Sequence, residues 1–245
     1  MIEYQVADRI ATITLNRPEK LNALTNQGLT DYVAALRRLD RDDDADIGIV
    51  TGAGRAFSTG SDINERLLAV ADDGADSQSL PSEGQAVLRC ENYKPLIAAV
   101  HGYAIGHAMG TALLCELVVA AQDTLFQVTE TTLGVPAASF WAHIASATGA
   151  AFATDVALTG RFFTAEEAYR AGLITTVVPA GRQLAEARER AAQILRHPQA
   201  ALRETVRYRR SVLAEQLQHA AIIAGNFRWD MSDGFRDAIR ARTGG

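Results

Sequence analysis

Cysteine is scarce: Cys90 and Cys115 are the only two in 245 residues. Their spacing fits no metal-binding pattern, and both sit in apolar surroundings, so they read as buried free thiols. No apolar run reaches the roughly 18 residues of a membrane-spanning helix. The N-terminus, Met1-Ile2-Glu3-Tyr4, enters a strand pattern without the basic and apolar regions of a secretion signal. The expectation is a soluble cytoplasmic protein with no membrane partner. Net charge is −5 and the basic residues are scattered until the C-terminal third. The concentrated basic face of a nucleic-acid binder is therefore missing. Four aspartates crowd Arg41-Asp42-Asp43-Asp44-Ala45-Asp46, but without the glycine and distal glutamate of an EF-hand loop they read as a solvated turn.

What is present is a chain 48% hydrophobic and 22% charged, enough for one large core with at most a small appendage. Arg9 to Asn16 alternates like a half-buried strand, with Tyr4 to Val6 as its hairpin partner. Leu29, Val33, Leu36 and Leu39 place an apolar stripe on a helix from about Gln27 to Leu39. Ile47–Thr51, Leu96–Val100 and Leu117–Ala120 read as buried strands, and Leu125–Val128 as a short one. Helices are expected at Asn64–Val70 and Glu83–Asn92, around a mobile loop over Ala71–Gly84. Ala137 to Ala157 is helical with a break near Gly149, and Leu158 to Phe163 is a turn. Thr164 with Glu167 forms a capping box for a helix closed by Gly172, and Ile174–Val178 is a strand. Helices follow at Gln183–Arg196, Gln199–Arg210, Leu213–Phe227 and Ser232–Arg242. This divides the chain into a β/α core over residues 1–180 and a helical region over 181–245.

Two glycine-bearing stretches follow strands. Gly102-Tyr103-Ala104-Ile105-Gly106 opens a helix, whose first amides and positive dipole end suit an anion. Arg55 to Ile63 is the second, at the end of Ile47–Thr51, where ligands dock in α/β layers. It lacks the Gly-Lys-Ser/Thr of a phosphate-binding P-loop, which speaks against triphosphate hydrolysis. Some twenty residues past Gly106, Glu130 follows a short β-type run and is a candidate acid/base.

Certain motifs, in this order, carry a resemblance. They are Ile13-Thr14-Leu15-Asn16-Arg17-Pro18-Glu19-Lys20-Leu21-Asn22-Ala23-Leu24; Thr51-Gly52 with Phe57-Ser58-Thr59-Gly60-Ser61-Asp62-Ile63; and Pro95 to Val100 before Gly102 to Gly106. Leu158-Thr159-Gly160, Ala165-Glu166-Glu167-Ala168, Ala171-Gly172-Leu173-Ile174 and Val178-Pro179 complete them. Over nearly its whole length the chain resembles the crotonase superfamily of enoyl-CoA hydratases and isomerases. The resemblance implies an α/β fold, a crotonase-like spiral of ββα units with a C-terminal helical region, assembled as a homotrimer or hexamer. It implies an acyl-CoA thioester substrate, with coenzyme A belonging to the substrate and no separate cofactor or metal. The thioester carbonyl would lie between two backbone N–H groups that stabilise an enolate. These fall on Ser61, after Gly60, and on His107, after Gly106, where His107 departs from the family's usual glycine.

The resemblance also assigns two glutamates to hydratases. One falls on Glu130. The other falls on Gly110, so this chain keeps one carboxylate and lacks its partner, which favours an isomerase-type proton shuttle over hydration. Lys20, Ala23, Ser58, Asp62, Ile63, Trp141 and Arg240 are the further substrate-binding candidates, with Gly60, Gly106 and Gly110. Phe140 and Trp141 replace glycines near the acyl pocket, and Arg240 is a candidate for the CoA phosphates. Two alternatives stand beside this reading: a hydrolase or lyase of the same fold that uses His107 or His143 on a β-dicarbonyl compound, and a non-catalytic acyl-CoA binder.

Overall fold

The computed structural model describes residues 1–62, 92–225, 237–238 and 240–241. The helices expected over 64–70 and 83–92, the loop between them, Ile63, Cys90 and most of the last helix lie outside the described residues. Strands β1 (Ile2–Ala7) and β2 (Ile10–Leu15) form an antiparallel hairpin. Its two turn residues, Asp8 and Arg9, are both left-handed (φ 53° and 62°), the geometry that matches strand twist in a two-residue hairpin. Helix α1 (Asn26–Arg41) starts where the Thr25 side chain accepts from the Gly28 amide, an N-cap bond. Strands β3 (Ile47–Gly52), β4 (Leu96–Val100), β6 (Leu117–Ala121) and β9 (Thr176–Val178) join the hairpin in one sheet of order β1-β2-β3-β4-β6-β9, parallel from β2 onward. Strands β5 (Tyr103–Ile105), β7 (Leu125–Gln127) and β8 (Phe162–Thr164) make a smaller second sheet.

The spiral follows from this division. Strand β4 enters the large sheet and β5 the small one, and helix α2 (His107–Leu114) turns back; β6 and β7 repeat the step. The parallel strands are apolar throughout because both faces of the large sheet are covered. In β4, Leu96, Ala98 and Val100 face the main core, while Ile97 and Ala99 face a second cluster with Ile47, Ile49 and Val119. Helix α6 (Gln183–Ile194) closes that second face with Ala187 and Ala191. The helical region after residue 181 is thus built into the core at its start.

Helices α3 (Ala138–Thr148) and α4 (Ala150–Thr159) break at Gly149, as the sequence suggests. The capping box on α5 (Ala165–Arg170) is complete: the Thr164 hydroxyl accepts from the Glu167 amide and the Glu167 carboxylate accepts from the Thr164 amide. Three local expectations change. The segment over Phe162–Thr164 is not only a turn, because it pairs with β7. A 3-10 turn occupies Thr131–Leu133, within the stretch from Thr131 to Pro136 whose sequence reads as a loop. The two helices expected at 199–210 and 213–227 are one, α7 (Gln199–Gly225). Ser211 caps nothing there; its hydroxyl donates back to the Tyr208 carbonyl inside the helix, and the ladder runs through.

Candidate active site

The candidate site lies where two loops meet the N-terminal end of α2. The first loop is braced by Asn22. Its amide nitrogen donates to the carbonyls of Ala53 and Ala56 at 2.8 Å and of Phe57 at 3.2 Å, and its oxygen accepts from the Arg17 amide at 2.8 Å. Asn22 is buried and left-handed (φ 56°), a conformation asparagine tolerates better than most residues. Arg17 donates to the Asp62 carboxylate at 2.6 Å and to the Ala23 carbonyl at 3.3 Å. The segments 17–24 and 53–62 are thereby tied together before any ligand arrives. Sequence reasoning did not single out Asn22 or Arg17 as site-building residues, because their work is long-range. The signal available was a lone asparagine inside the Leu21-Asn22-Ala23 motif.

Ser58 is fully buried. Its hydroxyl donates to the Asn22 carbonyl at 2.8 Å and accepts from the Gly60 amide at 3.1 Å. It shapes the loop from inside, tying the Gly60 turn to the 17–24 segment. Asp62 likewise spends its carboxylate on Arg17. Lys20 ends an exposed 3-10 turn, and Ala23 is half-buried next to the bridge between Leu24 and Ser61.

Ser61 sits at the centre of a parallel bridge with Leu24: the Leu24 amide donates to the Gly60 carbonyl at 2.8 Å and the Asp62 amide to the Leu24 carbonyl at 2.9 Å. In a trans peptide the C=O and N–H point oppositely. The Gly60 carbonyl faces Leu24, so the Ser61 N–H faces away from it, on the side where Ser58 pairs with Ala104 of β5. Gly60 (φ 88°) packs on the turn into α2; a Cβ there would stand 2.6 Å from the Ile105 carbonyl oxygen and 3.5 Å from the His107 amide nitrogen. Only glycine permits that approach and that backbone.

His107 is the first residue of α2. The Gly110 amide makes the first bond of its ladder, to the Gly106 carbonyl at 3.1 Å, so the His107 amide points past the helix end, where the dipole is positive. The Gly106 amide is held by the Gln127 carbonyl at 2.8 Å, which fixes this turn to β7. The same strand leads into Glu130. A Cβ at Gly106 (φ 51°) would be 2.6 Å from the Thr129 hydroxyl and 3.7 Å from Glu130 Oε1. The Glu130 carbonyl accepts from the Leu133 and Val135 amides, both at 2.9 Å, and Oε2 is buried. The carboxylate is therefore carried on a rigid turn against the glycine that opens α2.

The Gly60–Ser61 loop, the first amide of α2 and the Glu130 carboxylate thus lie around one helix N-terminus. Such a group suits a carbonyl whose oxygen becomes anionic while a neighbouring carbon gives up a proton.

The remaining expected residues are spread out. Trp141, 40% exposed, donates its indole N–H to Thr154 on α4 at 2.9 Å. The ring that reaches Gly110 is that of Phe140, with Cζ 3.4 Å and Cε1 3.5 Å from where a Cβ would stand. Arg240 is exposed in the short described piece near the C-terminus. His143 lies beyond the far end of α2, lining a cavity of about 300 Å³ with Leu113, Glu116 and Arg209. Burial, helped by the charge of Arg209 and opposed by a bond to the Leu113 backbone, pushes its pKa down to about 4. The Leu113 backbone that it bonds lies six residues along α2 from His107, about 9 Å, so the two histidines do not share a site. Cys115 is a buried free thiol, pushed up to about 12 chiefly by its burial.

This geometry has relatives. The family model for enoyl-CoA hydratase/isomerase matches residues 5–228. A probable enoyl-CoA hydratase of Mycobacterium tuberculosis is 40% identical over 190 residues, 76% of this chain and 72% of the relative. The 2,3-dehydroadipyl-CoA hydratase of Escherichia coli is 36% identical over 218 residues, 89% of this chain and 82% of its own. Among solved structures, an enoyl-CoA hydratase from Mycobacterium tuberculosis superposes with a TM-score of 0.79 at 33% identity, covering 93% of this chain and 98% of the other. An enoyl-CoA hydratase/isomerase described as putative, from Acinetobacter baumannii, gives 0.85 at 27% identity, covering 98% of each. The chain belongs to the enoyl-CoA hydratase/isomerase family and has its crotonase fold.

Proposed function

We propose that the protein is an acyl-CoA thioester enzyme that stabilises a thioester enolate and moves one proton with Glu130. The observation that carries this reading is the meeting of Gly60–Ser61, Gly106–His107 and Glu130 at the N-terminus of α2. The thioester oxygen accepts from the Ser61 and His107 amides. Glu130 takes a proton from C2 of a 3-enoyl thioester; the C–H electron pair becomes the second bond of C1=C2 in the enolate, and the carbonyl π pair moves to the oxygen. The carboxylic acid then returns the proton at C4 and the double bond settles between C2 and C3. Proton and electrons balance without a redox partner, and coenzyme A takes part only as a portion of the substrate.

Isomerisation is favoured over hydration because water addition needs a second positioned group. One helical turn from Gly106 the chain offers Gly110, faced by the Phe140 ring. The test is turnover of 3-enoyl- and 2-enoyl-CoA by the wild type and by Glu130→Gln. Loss of isomerisation in the variant supports the reading; equal turnover of both substrates by both proteins contradicts it. Among the described residues no helix is long and apolar enough to cross a membrane. We place the enzyme in the cytoplasm as a homotrimer or hexamer, which light scattering of the purified protein checks.

A further inference from the structure

Gly106 caps the N-terminus of α2 and Gly110 lies in its first turn, where its amide donates to the Gly106 carbonyl at 3.1 Å. Thr129 and Glu130 lean on the first, and Phe140 on the second. With no side chain at either position, the start of α2 is bounded by a carboxylate beside Gly106 and by an aromatic ring beside Gly110. Four residues of helix span about 6 Å, room for only a few carbons. The ring is held from several sides. Phe140 packs against the main core. Its helix α3 is pinned to α4 by the bond from Trp141 to Thr154, and to the end of α2 by the bond between His143 and the Leu113 backbone. A ring fixed in this way acts as a wall, because moving it means moving α3.

We propose that Phe140 is a specificity-determining residue: the end wall of the acyl trough beside Glu130, which restricts the enzyme to short acyl groups. This rests on the acyl-CoA reading above and adds the acyl class. Gly110 belongs to the same device, since a methyl group there would rest on the ring at 3.4–3.5 Å, ordinary van der Waals contact, and fill the space between ring and helix.

The test is calorimetric titration of the full-length protein with acetyl-, butyryl-, octanoyl- and decanoyl-CoA, saturated thioesters that carry no double bond to isomerise. The wild type is expected to bind butyryl-CoA at least tenfold more tightly than decanoyl-CoA. Phe140→Ala should bring that ratio to within about threefold of unity, and Phe140→Leu should fall between. Gly110→Ala, which approaches the ring from the other side, should weaken butyryl-CoA severalfold and acetyl-CoA less, and it keeps the test available if Phe140→Ala does not fold. An unchanged butyryl-to-decanoyl ratio in folded Phe140→Ala or Phe140→Leu overturns the wall. The outcome is separable from the proposed chemistry: if Glu130→Gln turns over normally while the length preference still shifts, the chemistry fails and the wall stands. Absence of binding by every thioester overturns both.

Discussion

The two ends of helix α2 are built from similar residues and do opposite things. At its start are His107 and Glu130; at its end are His143 and Glu116. The start is opened by glycine, and first-turn amides face the meeting loops. The end is saturated. Arg209 donates to the Leu114 and Cys115 carbonyls at 3.3 and 3.0 Å, so a cation caps the negative end of the helix dipole. The Glu116 carboxylate accepts from Arg209 at 3.2 Å, from Arg210 at 2.9 and 3.0 Å, and from the Leu96 amide at 2.8 Å. Arg210 is fully buried and also donates to the Asn92 and Lys94 carbonyls. A glutamate and a histidine therefore do not define a site. What differs is the surroundings: glycines and first-turn amides at the start, and a carboxylate ringed by guanidinium groups at the end.

The largest expected effect separates the ends by activity. Glu130→Gln should lower isomerase kcat by about 10³-fold, within the range of a lost general base, while chemical denaturation shows stability unchanged within about 1 kcal/mol. Glu116→Gln should do the reverse. It leaves the buried Arg210 charge without its counter-ion, costing about 3–5 kcal/mol in a urea titration, with kcat per folded molecule retained. A severe kcat loss in folded Glu116→Gln would erase the distinction.

The next effect is set by pH. An unfolded chain protonates His143 near 6.5, and the folded protein resists until about 4. In that window the unfolded state binds more protons, so stability rises with pH. The contribution is complete above pH 6.5 and is lost as pH falls toward 4, about 3 kcal/mol in all. Denaturation series across this range should show the loss, and His143→Gln should flatten it. A variant with the full acid dependence would place the effect elsewhere. The smallest expected effect tests the site's own bracing. Asn22→Ala leaves loop carbonyls short of a donor and should cost about 2 kcal/mol, accompanied by a several-fold rise in the KM for acyl-CoA. A stability loss with no kinetic change would make Asn22 scaffold, like Glu116.

Much of the fold was legible in the sequence. Apolar runs such as Leu96–Val100 announce strands covered on both faces, and Thr164 with Glu167 announces a helix start. The ordered motifs from Ile13 to Pro179 point to the spiral and to the stretches that would make the site. Residues defined by long-range contact were not legible. No local pattern shows that the Ser58 hydroxyl bonds the Asn22 carbonyl and the Gly60 amide. Which of the adjacent Phe140 and Trp141 meets Gly110 depends on the rotation of α3, and no local pattern encodes it. The continuity of α7 between 210 and 213 rests on long-range contacts too, since Arg209 and Arg210 are anchored on the core side of one unbroken helix.

The central claim is that the Ser61 and His107 amides and Glu130 serve one thioester. A crystal structure with a bound acyl-CoA tests it most directly. The account predicts the thioester oxygen within about 3.2 Å of both amide nitrogens, with C2 facing the Glu130 carboxylate. A thioester oxygen remote from either amide, or a C2 turned away from Glu130, would contradict it.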